Sequence, residues 1–76
     1  MTKIDEVRDA YEKFGFIVTK TTKNNGGNFL YLEIYTNAEM LRKGHYLTSL
    51  QFNNEGSKLQ FIGLTIDYNK SIYVPV

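Results

Sequence analysis

The sequence predicts a small α+β domain: an N-terminal helix packed on an antiparallel meander of about five strands, in the order α-β-β-(short α)-β-β-β. Three observations predict this fold. Apolar side chains near the N-terminus recur at the helical period, most of the remaining chain alternates with a period of two, and short Asn- and Gly-containing segments separate the alternating runs. Strands joined by such short turns pair antiparallel, and a helix with one apolar stripe covers one face of their sheet.

Length and composition predict one domain spanning residues 1–76, of which 42% are hydrophobic. The chain has no cysteine, so neither a disulfide nor a cysteine metal site is available to it. A formal net charge of +1 argues against a general electrostatic attraction to nucleic acid or to a membrane. No apolar run approaches the ~20 residues that span a bilayer, and no targeting signal is visible, so the expected location is the cytoplasm.

The first helix is predicted over residues 3–14. Thr2 is the expected N-cap, and Gly15 is the expected end because glycine readily adopts the left-handed conformation found there. The apolar stripe of this helix consists of Ile4, Val7, Ala10, Tyr11 and Phe14.

The first hairpin is predicted to join strands 16–23 and 28–36 through a turn that contains the favoured pair Asn25-Gly26. A loop of two or of four residues gives the same register, in which Thr21, Thr19 and Ile17 oppose Leu30, Leu32 and Ile34. The other face of this hairpin then pairs Phe16 with Tyr35, Val18 with Glu33, and Lys20 with Tyr31.

The second hairpin is predicted to join strands 45–53 and 58–66. Its even loop pairs Leu50 with Phe61, Phe52 with Leu59, and Gln51 with Gln60, so that apolar meets apolar and amide meets amide.

The remaining segments are shorter. Residues 37–44 predict a capped helical turn, with Asn37 as its N-cap and Gly44 as its end. Residues 67–70 are predicted to form a turn, and residues 71–74 a short last strand.

No sequence pattern indicates catalysis, a cofactor or a metal. His45 is the single histidine and has no cysteine or second histidine to join it. The acidic residues of the first helix could form a carboxylate pair, but they fit better a solvated face partly paired with Arg8 and Lys13. Gly26-Gly27 precedes a strand rather than a helix, which favours a turn over a phosphate-binding loop. We therefore expect a protein that is not an enzyme.

The most informative feature is what we call the aromatic face, the side of strand 28–36 that carries Phe29, Tyr31, Glu33 and Tyr35. The opposite side of this strand carries Leu30, Leu32 and Ile34, so the strand has apolar groups on both sides. Two explanations are open. Either the short helix or the C-terminal strands cover the aromatic face, or that face is exposed and binds a partner.

The function predicted from these patterns is that of a small non-enzymatic protein-binding module. Its Asn-, Lys- and Tyr-rich composition suggests an accessory or inhibitor protein of a phage or mobile element that occupies a host protein surface. The predicted partner-binding residues are Lys20, Phe29, Tyr31, Glu33 and Tyr35. The aromatic residues would serve as desolvated anchors, and the charged residues would set the orientation of an unidentified protein partner.

Two other kinds of partner remain open at this point. Self-association would use the same surface or an unpaired strand edge. The alternative function is single-stranded nucleic-acid binding, in which the aromatic rings of that face stack on bases and its lysines contact phosphates. The near-neutral charge and the lack of an RNP, GXXG or zinc-knuckle motif make nucleic acid the less favoured partner.

Overall fold

A computed structural model describes residues 2–24, 26–67 and 70–76, with only the backbone described for residues 66, 67, 70 and 71. The elements are α1 (Lys3–Lys13), β1 (Ile17–Asn24), β2 (Asn28–Tyr35), α2 (Ala38–Lys43), β3 (Thr48–Phe52), β4 (Leu59–Asp67) and β5 (Lys70–Pro75). All five strands form one antiparallel sheet in the order β1-β2-β3-β4-β5. This architecture confirms the predicted fold class and element order, and it makes β1 and β5 the two edges of the sheet.

Helix α1 begins and ends close to the predicted bounds. Thr2 has the extended backbone of an N-cap, but its hydroxyl donates to Asp5 Oδ2 at 2.7 Å instead of accepting from a backbone N–H. Gly15 has a φ of +89°, as expected where the chain leaves a helix in the left-handed region. The helix stops at Lys13, so Phe14 occupies the C-cap with a non-helical backbone and an 82% exposed residue surface. Phe14 is therefore not part of the buried stripe.

Helix α2 is built as predicted. Asn37 Oδ1 accepts the Met40 N–H at 3.0 Å, and Gly44 ends the helix with a φ of +73°. An ion pair between Glu39 and Lys43, 3.3 Å apart, supports its exposed side. In the described parts of the chain, no helix is both long enough and apolar enough to cross a bilayer.

The register of the first hairpin differs by one residue from the predicted one. Asn24 pairs with Asn28 across a three-residue turn, and Ile17 pairs with Tyr35. Because side chains alternate between the two sides of a strand, this shift of one residue exchanges the two sides of β1. Val18 and Lys20 now oppose Ile34 and Leu32. Asn25 of the predicted turn pair lies outside the described residues, as do Tyr68 and Asn69 of the predicted 67–70 turn.

The second hairpin contains a bulge. Phe52 pairs with Leu59 as predicted, but Leu50 pairs with Ile62 and Gln51 with Phe61, so Gln60 is an extra residue in β4. The predicted pairs Leu50–Phe61 and Gln51–Gln60 are therefore wrong. The bulge has a packing consequence: Leu59 and Ile62 are three residues apart, and both pack on the same core. A regular strand would place them on opposite faces.

The core lies between α1 and one face of the sheet, which we call the helix face. Its buried members are Ile4, Leu32, Ile34, Leu50 and Phe52. The start of α1 is also tied to the β3–β4 loop, because the Ile4 N–H donates to the Gly56 carbonyl at 2.8 Å. Gly56 has a φ of +73°, and a methyl group on it would lie only 2.6 Å from Ile4 Cγ2. The close approach of loop and helix therefore requires glycine at this position.

We predict that Gly56→Ala lowers the free energy of unfolding more than Gly44→Ala does. Both glycines have a φ of +73°, but only at Gly56 does the new methyl group meet other atoms. The shared left-handed strain is worth about 1–2 kcal/mol, and overpacking at Gly56 adds about 1–3 kcal/mol. Urea denaturation of the two variants and the parent measures the difference. Equal losses would show that Ile4 does not approach Gly56 as described.

Candidate functional site

Tyr31 is the centre of the aromatic face and is only 3% exposed. Its hydroxyl donates to Gln51 Oε1 at 2.8 Å. The Tyr73 ring meets its ring edge-on, with 6.3 Å between centroids, and the Lys23 ammonium lies 5.0 Å from its ring centroid. Side chains from β1, β3 and β5 thus enclose this ring, so it offers no free surface to a partner.

Tyr73 reaches Tyr31 by lying across β4. Its cross-strand neighbour is Gly63, where a methyl group would come within 2.9 Å of Tyr73 Cε1. The missing side chain lets the ring pass over the strand, and the Tyr73 hydroxyl donates to Ser49 Oγ at 3.3 Å. Ser49 is fully buried, so this contact also provides a partner for a hydroxyl that is shielded from water. The last strand therefore covers the middle of the aromatic face.

Tyr35 is the second buried ring of this face, at 5% exposure. It packs edge-on against Tyr46, with 6.3 Å between centroids, and its hydroxyl donates to Glu33 Oε1 at 3.3 Å. Thr19 donates to the same oxygen at 3.4 Å, and Lys23 Nζ lies 3.7 Å from Glu33 Oε2. Burial raises the pKa of the Tyr35 phenol, and the charge and hydrogen bond of Glu33 add to this effect. The phenol therefore acts as a neutral hydrogen-bond donor.

The structure brings four of the five predicted partner-binding residues together and separates the fifth. Phe29, Tyr31, Glu33 and Tyr35 share the aromatic face, as expected from their alternation. Lys20 lies on the helix face, where its Nζ is 4.0 Å from Asp5 Oδ1. The one-residue register shift causes this change, and it places Lys23 beside Tyr31 and Glu33 instead. Two explanations were open for the aromatic face. At Tyr31 the first one holds, because the C-terminal strand covers this residue.

The acidic side of α1 forms local pairs. Arg8 Nη2 lies 3.2 Å from Asp5 Oδ1, the spacing predicted for a solvated helix face. The hydrogen bond from Thr2 lowers the pKa of Asp5, and the positive charges of Arg8 and Lys20 act in the same direction against the effect of desolvation. Asp5 is therefore held in its ionised form. Among the described residues, no three side chains of metal-ligating type lie close enough together to hold an ion.

A groove of about 410 Å³ lies beside the aromatic face, at the end of β2, β3 and β4. Its lining consists of Phe29, Gln51, Lys58, Leu59, Gln60, Phe61 and Val76. Phe61 reaches this side because the bulge at Gln60 pairs it with Gln51. The groove thus combines two amides and one ammonium group with apolar side chains.

A second surface was not predicted from the sequence, and we call it the apolar strip: Leu64, Ile72 and Val74. Their residue surfaces are 53%, 53% and 41% exposed. Leu64 pairs with Ile72, and Val74 pairs with the core residue Ile62, so all three lie on the helix face. Helix α1 contacts β1 and β2 on this face, and the strip lies beyond its reach.

The signal for this strip was present in the sequence. A helix with its side chains is about 10 Å across, whereas five strands spaced ~4.8 Å apart span about 20 Å. One helix of 11 residues therefore leaves the far strands of a five-stranded sheet uncovered. Alternation in the last two strands identifies the apolar residues that are then exposed.

We predict that Gly63→Ala displaces Tyr73 and loosens β5, because the new methyl group would lie 2.9 Å from Tyr73 Cε1. Overpacking of this kind lowers the free energy of unfolding by about 1–3 kcal/mol. The same substitution in a Tyr73→Ala background should be less harmful, because the clashing ring is gone. Urea denaturation of the four proteins in this cycle tests the contact. A loss that is equal in both backgrounds would contradict it.

We predict that the stability of the fold decreases at alkaline pH partly through Tyr35. Since the folded state raises the pKa of this phenol, its contribution is fully present below the ordinary tyrosine pKa of about 10 and is lost as the pH rises through the folded value. Unfolding free energies measured across the alkaline range should decrease more for the parent than for Tyr35→Phe. Glu33→Gln should show an intermediate profile, since it removes the nearby negative charge. Identical profiles for the parent and Tyr35→Phe would argue against the raised pKa.

No family model matches this chain, and neither a curated protein nor a solved structure is significantly similar to it. Of its surfaces, the aromatic face is largely enclosed, the groove is small and mixed in chemistry, and the apolar strip beside the β5 edge is exposed.

Proposed function

We propose that this chain is a non-enzymatic protein-binding module whose contact surface is the apolar strip together with the edge of β5. The observation that carries this proposal is the exposure of Leu64, Ile72 and Val74 beside a strand that is paired on only one side. Contiguous exposed apolar groups favour contact with another protein surface. An unpaired strand edge adds directional backbone donors and acceptors to that contact.

The proposed contact surface differs from the aromatic face, which the sequence predicted to bind the partner. Anchor residues of an interface must expose their rings before binding, but Tyr31 and Tyr35 are 3% and 5% exposed. Their hydroxyls are engaged by Gln51 and Glu33, so the two tyrosines form an internal layer of the fold. Phe29 is half-buried at the groove and could still form the margin of a contact.

The same burial removes the support for single-stranded nucleic-acid binding. A base stacks only on a ring whose face is accessible, and the two central rings of the proposed platform are enclosed. Of the lysines expected to contact phosphates, Lys20 lies on the opposite face near Asp5, Lys23 lies against the enclosed Tyr31 ring, and Lys58 lines the groove. A protein partner is therefore the one we propose.

Charge and titration also support a binding role over a catalytic one. Among the residues that the structure describes, the pKa is shifted for one carboxyl group and one phenol. The hydrogen bond from Thr2 lowers the pKa of Asp5, and burial raises the pKa of Tyr35, so each group keeps its ordinary form at neutral pH. Neither group lines the groove. Occupation of a host protein surface by a phage or mobile-element accessory protein is the kind of role that we propose for such a module.

We predict that Ile72→Lys abolishes partner capture and that Phe14→Lys does not. Both positions are exposed apolar residues, at 53% and 82%, and both substitutions add one positive charge. Only Ile72 belongs to the apolar strip. Each protein would be immobilised and exposed to a lysate of host cells, and the captured proteins quantified by mass spectrometry. We expect at least a roughly tenfold loss of capture for Ile72→Lys, equivalent to about 1.4 kcal/mol.

Two results would count against this assignment. Equal capture by Ile72→Lys and the parent would exclude the apolar strip as the contact surface. Loss of capture with Phe14→Lys but not with Ile72→Lys would move the contact to the C-terminal end of α1. Thermal unfolding followed by circular dichroism would establish that both variants are folded.

A further inference from the structure

We propose that the groove at the end of β2, β3 and β4 is a second contact site for the protein partner, and that it takes a short segment in which an acidic residue stands beside an apolar one. This inference rests on the proposed function, since it assigns the occupant of the groove to the same protein partner. The apolar strip specifies no charge on that partner, whereas the groove does.

The bulge in β4 shapes the groove. Gln60 is the extra residue of this strand, between Leu59 and Phe61. A bulge redirects the side chain of the extra residue, and all three of these residues line the groove. The Val76 N–H donates to the Gln60 carbonyl at 3.1 Å, which ties the bulge to the chain that follows β5. An amide side chain thus stands among apolar ones.

Gln51 presents hydrogen-bond donors to the groove. Its Oε1 accepts the Tyr31 hydroxyl at 2.8 Å. The oxygen and the nitrogen of a side-chain amide lie on opposite sides of their carbon atom, and Tyr31 and Phe61 lie on opposite sides of Gln51 in the sheet. Gln51 Nε2 is therefore turned away from Tyr31 and towards Phe61, which lines the groove. Because the buried tyrosine holds the carbonyl, the groove side of this amide offers N–H groups.

The charge of the groove is positive. Among the described residues that line it, Lys58 alone has a charged side chain, and no ion pair between described residues involves this ammonium group. Glu33 of the aromatic face is paired with Lys23 at 3.7 Å, and Glu55 of the β3–β4 loop is not part of the lining. A carboxylate is an acceptor of opposite charge, so it complements an ammonium group flanked by amide N–H groups.

The apolar lining specifies the neighbour of that acidic residue. Phe29, Leu59 and Phe61 are half-buried, so each keeps part of its apolar surface at the groove. Removal of such surface from water favours an apolar side chain next to the carboxylate. The volume of about 410 Å³ lies near the lower end of the range of about 300–1,000 Å³ for ligand sites, so a short segment fits the groove.

Val76 connects the groove with the β5 edge. It follows β5 directly, is 73% exposed and lies in the lining of the groove. A protein that contacts the apolar strip and this edge therefore reaches the groove without crossing the rest of the surface.

A nucleic-acid strand suits the groove less well than an acidic peptide segment. Binding of a phosphate backbone relies on several cationic side chains. The described lining contains a single one, Lys58. Lys23 on the same face is already engaged by Glu33 and by the Tyr31 ring.

Selection from a displayed library of random short peptides tests the class of ligand. The parent would be compared with Lys58→Glu and with Lys13→Glu, a matched charge reversal at an exposed lysine that takes part in no ion pair between described residues. We expect the parent and Lys13→Glu to select peptides in which Asp or Glu stands beside an aromatic or aliphatic residue. Lys58→Glu should lose this acidic preference. A parent without the preference, or its persistence in Lys58→Glu, would overturn the proposal.

Nuclear magnetic resonance locates the selected peptide on the protein. On addition of the peptide to ¹⁵N-labelled parent, the side-chain NH₂ signals of Gln51 and Gln60 should shift, and that of Asn37, which caps α2, should not. Replacement of the acidic residue of the peptide by its amide should weaken binding about twofold to fivefold, as expected for an exposed ion pair. Shifts at Asn37 without shifts at the two glutamines would contradict the assignment. Displacement of the peptide by a single-stranded oligonucleotide at a lower concentration than by unlabelled peptide would assign the groove to nucleic acid instead.

Failure of this proposal and failure of the proposed function give different results. If Ile72→Lys loses capture from lysate while the parent selects no acidic peptides, the apolar strip stands as the contact surface and the groove proposal is wrong. If the parent binds acidic peptides at the groove while Ile72→Lys captures as much as the parent, the groove stands and the apolar strip fails. Circular dichroism during thermal unfolding would establish that Lys58→Glu and Lys13→Glu are folded.

Discussion

The sheet is wider than the single helix that packs on it, and the other features of the structure depend on this difference in width. Helix α1 is about 10 Å across, and the five-stranded sheet is about twice as wide. Ile4 of the helix and the apolar residues of β2 and β3 are therefore buried between the helix and the sheet, whereas exposure increases towards β5. Along one row of paired residues, Leu32 is 0% exposed, Leu50 4% and Val74 41%. The far strands of the sheet therefore extend beyond the cover of this helix.

On the other side of the sheet, side chains from β1, β3 and β5 cover Tyr31 at the centre of the aromatic face. Gly63 provides the space through which Tyr73 extends from β5 towards Tyr31, and Ser49 provides a hydrogen-bond partner for the Tyr73 hydroxyl. The Tyr46 ring packs edge-on against Tyr35 and covers it in a similar way. Large aromatic side chains suit this task, because each covers a wide area and carries a hydroxyl that can bond at the margin. The burial of the aromatic face thus depends on β5 being in place.

The two surfaces are linked through β5. This strand holds Tyr73 over the aromatic face, and it presents Ile72 and Val74 on the helix face. A strand held from one side only is more weakly fixed than a strand with two neighbours, so occupation of the β5 edge would stabilise both the edge and the tyrosine layer. Under the proposed function, binding at this edge and the integrity of the fold are therefore expected to be coupled through β5.

The sequence by itself determined the element order, the two capped helices, and the sorting of Leu30, Leu32 and Ile34 from Tyr31 and Tyr35, because these depend on local periodicity and on turn residues. Only the tertiary structure decided which side of β1 joins which side of β2. An odd or an even number of turn residues decides that assignment without altering the pattern of either strand. The turn has three residues, and Lys20 therefore lies on the helix face. The bulge at Gln60 acted in the same way on Phe61. The burial of Tyr31 likewise required a contact with Tyr73, a residue distant in sequence, whose reach across Gly63 follows from the order of the strands.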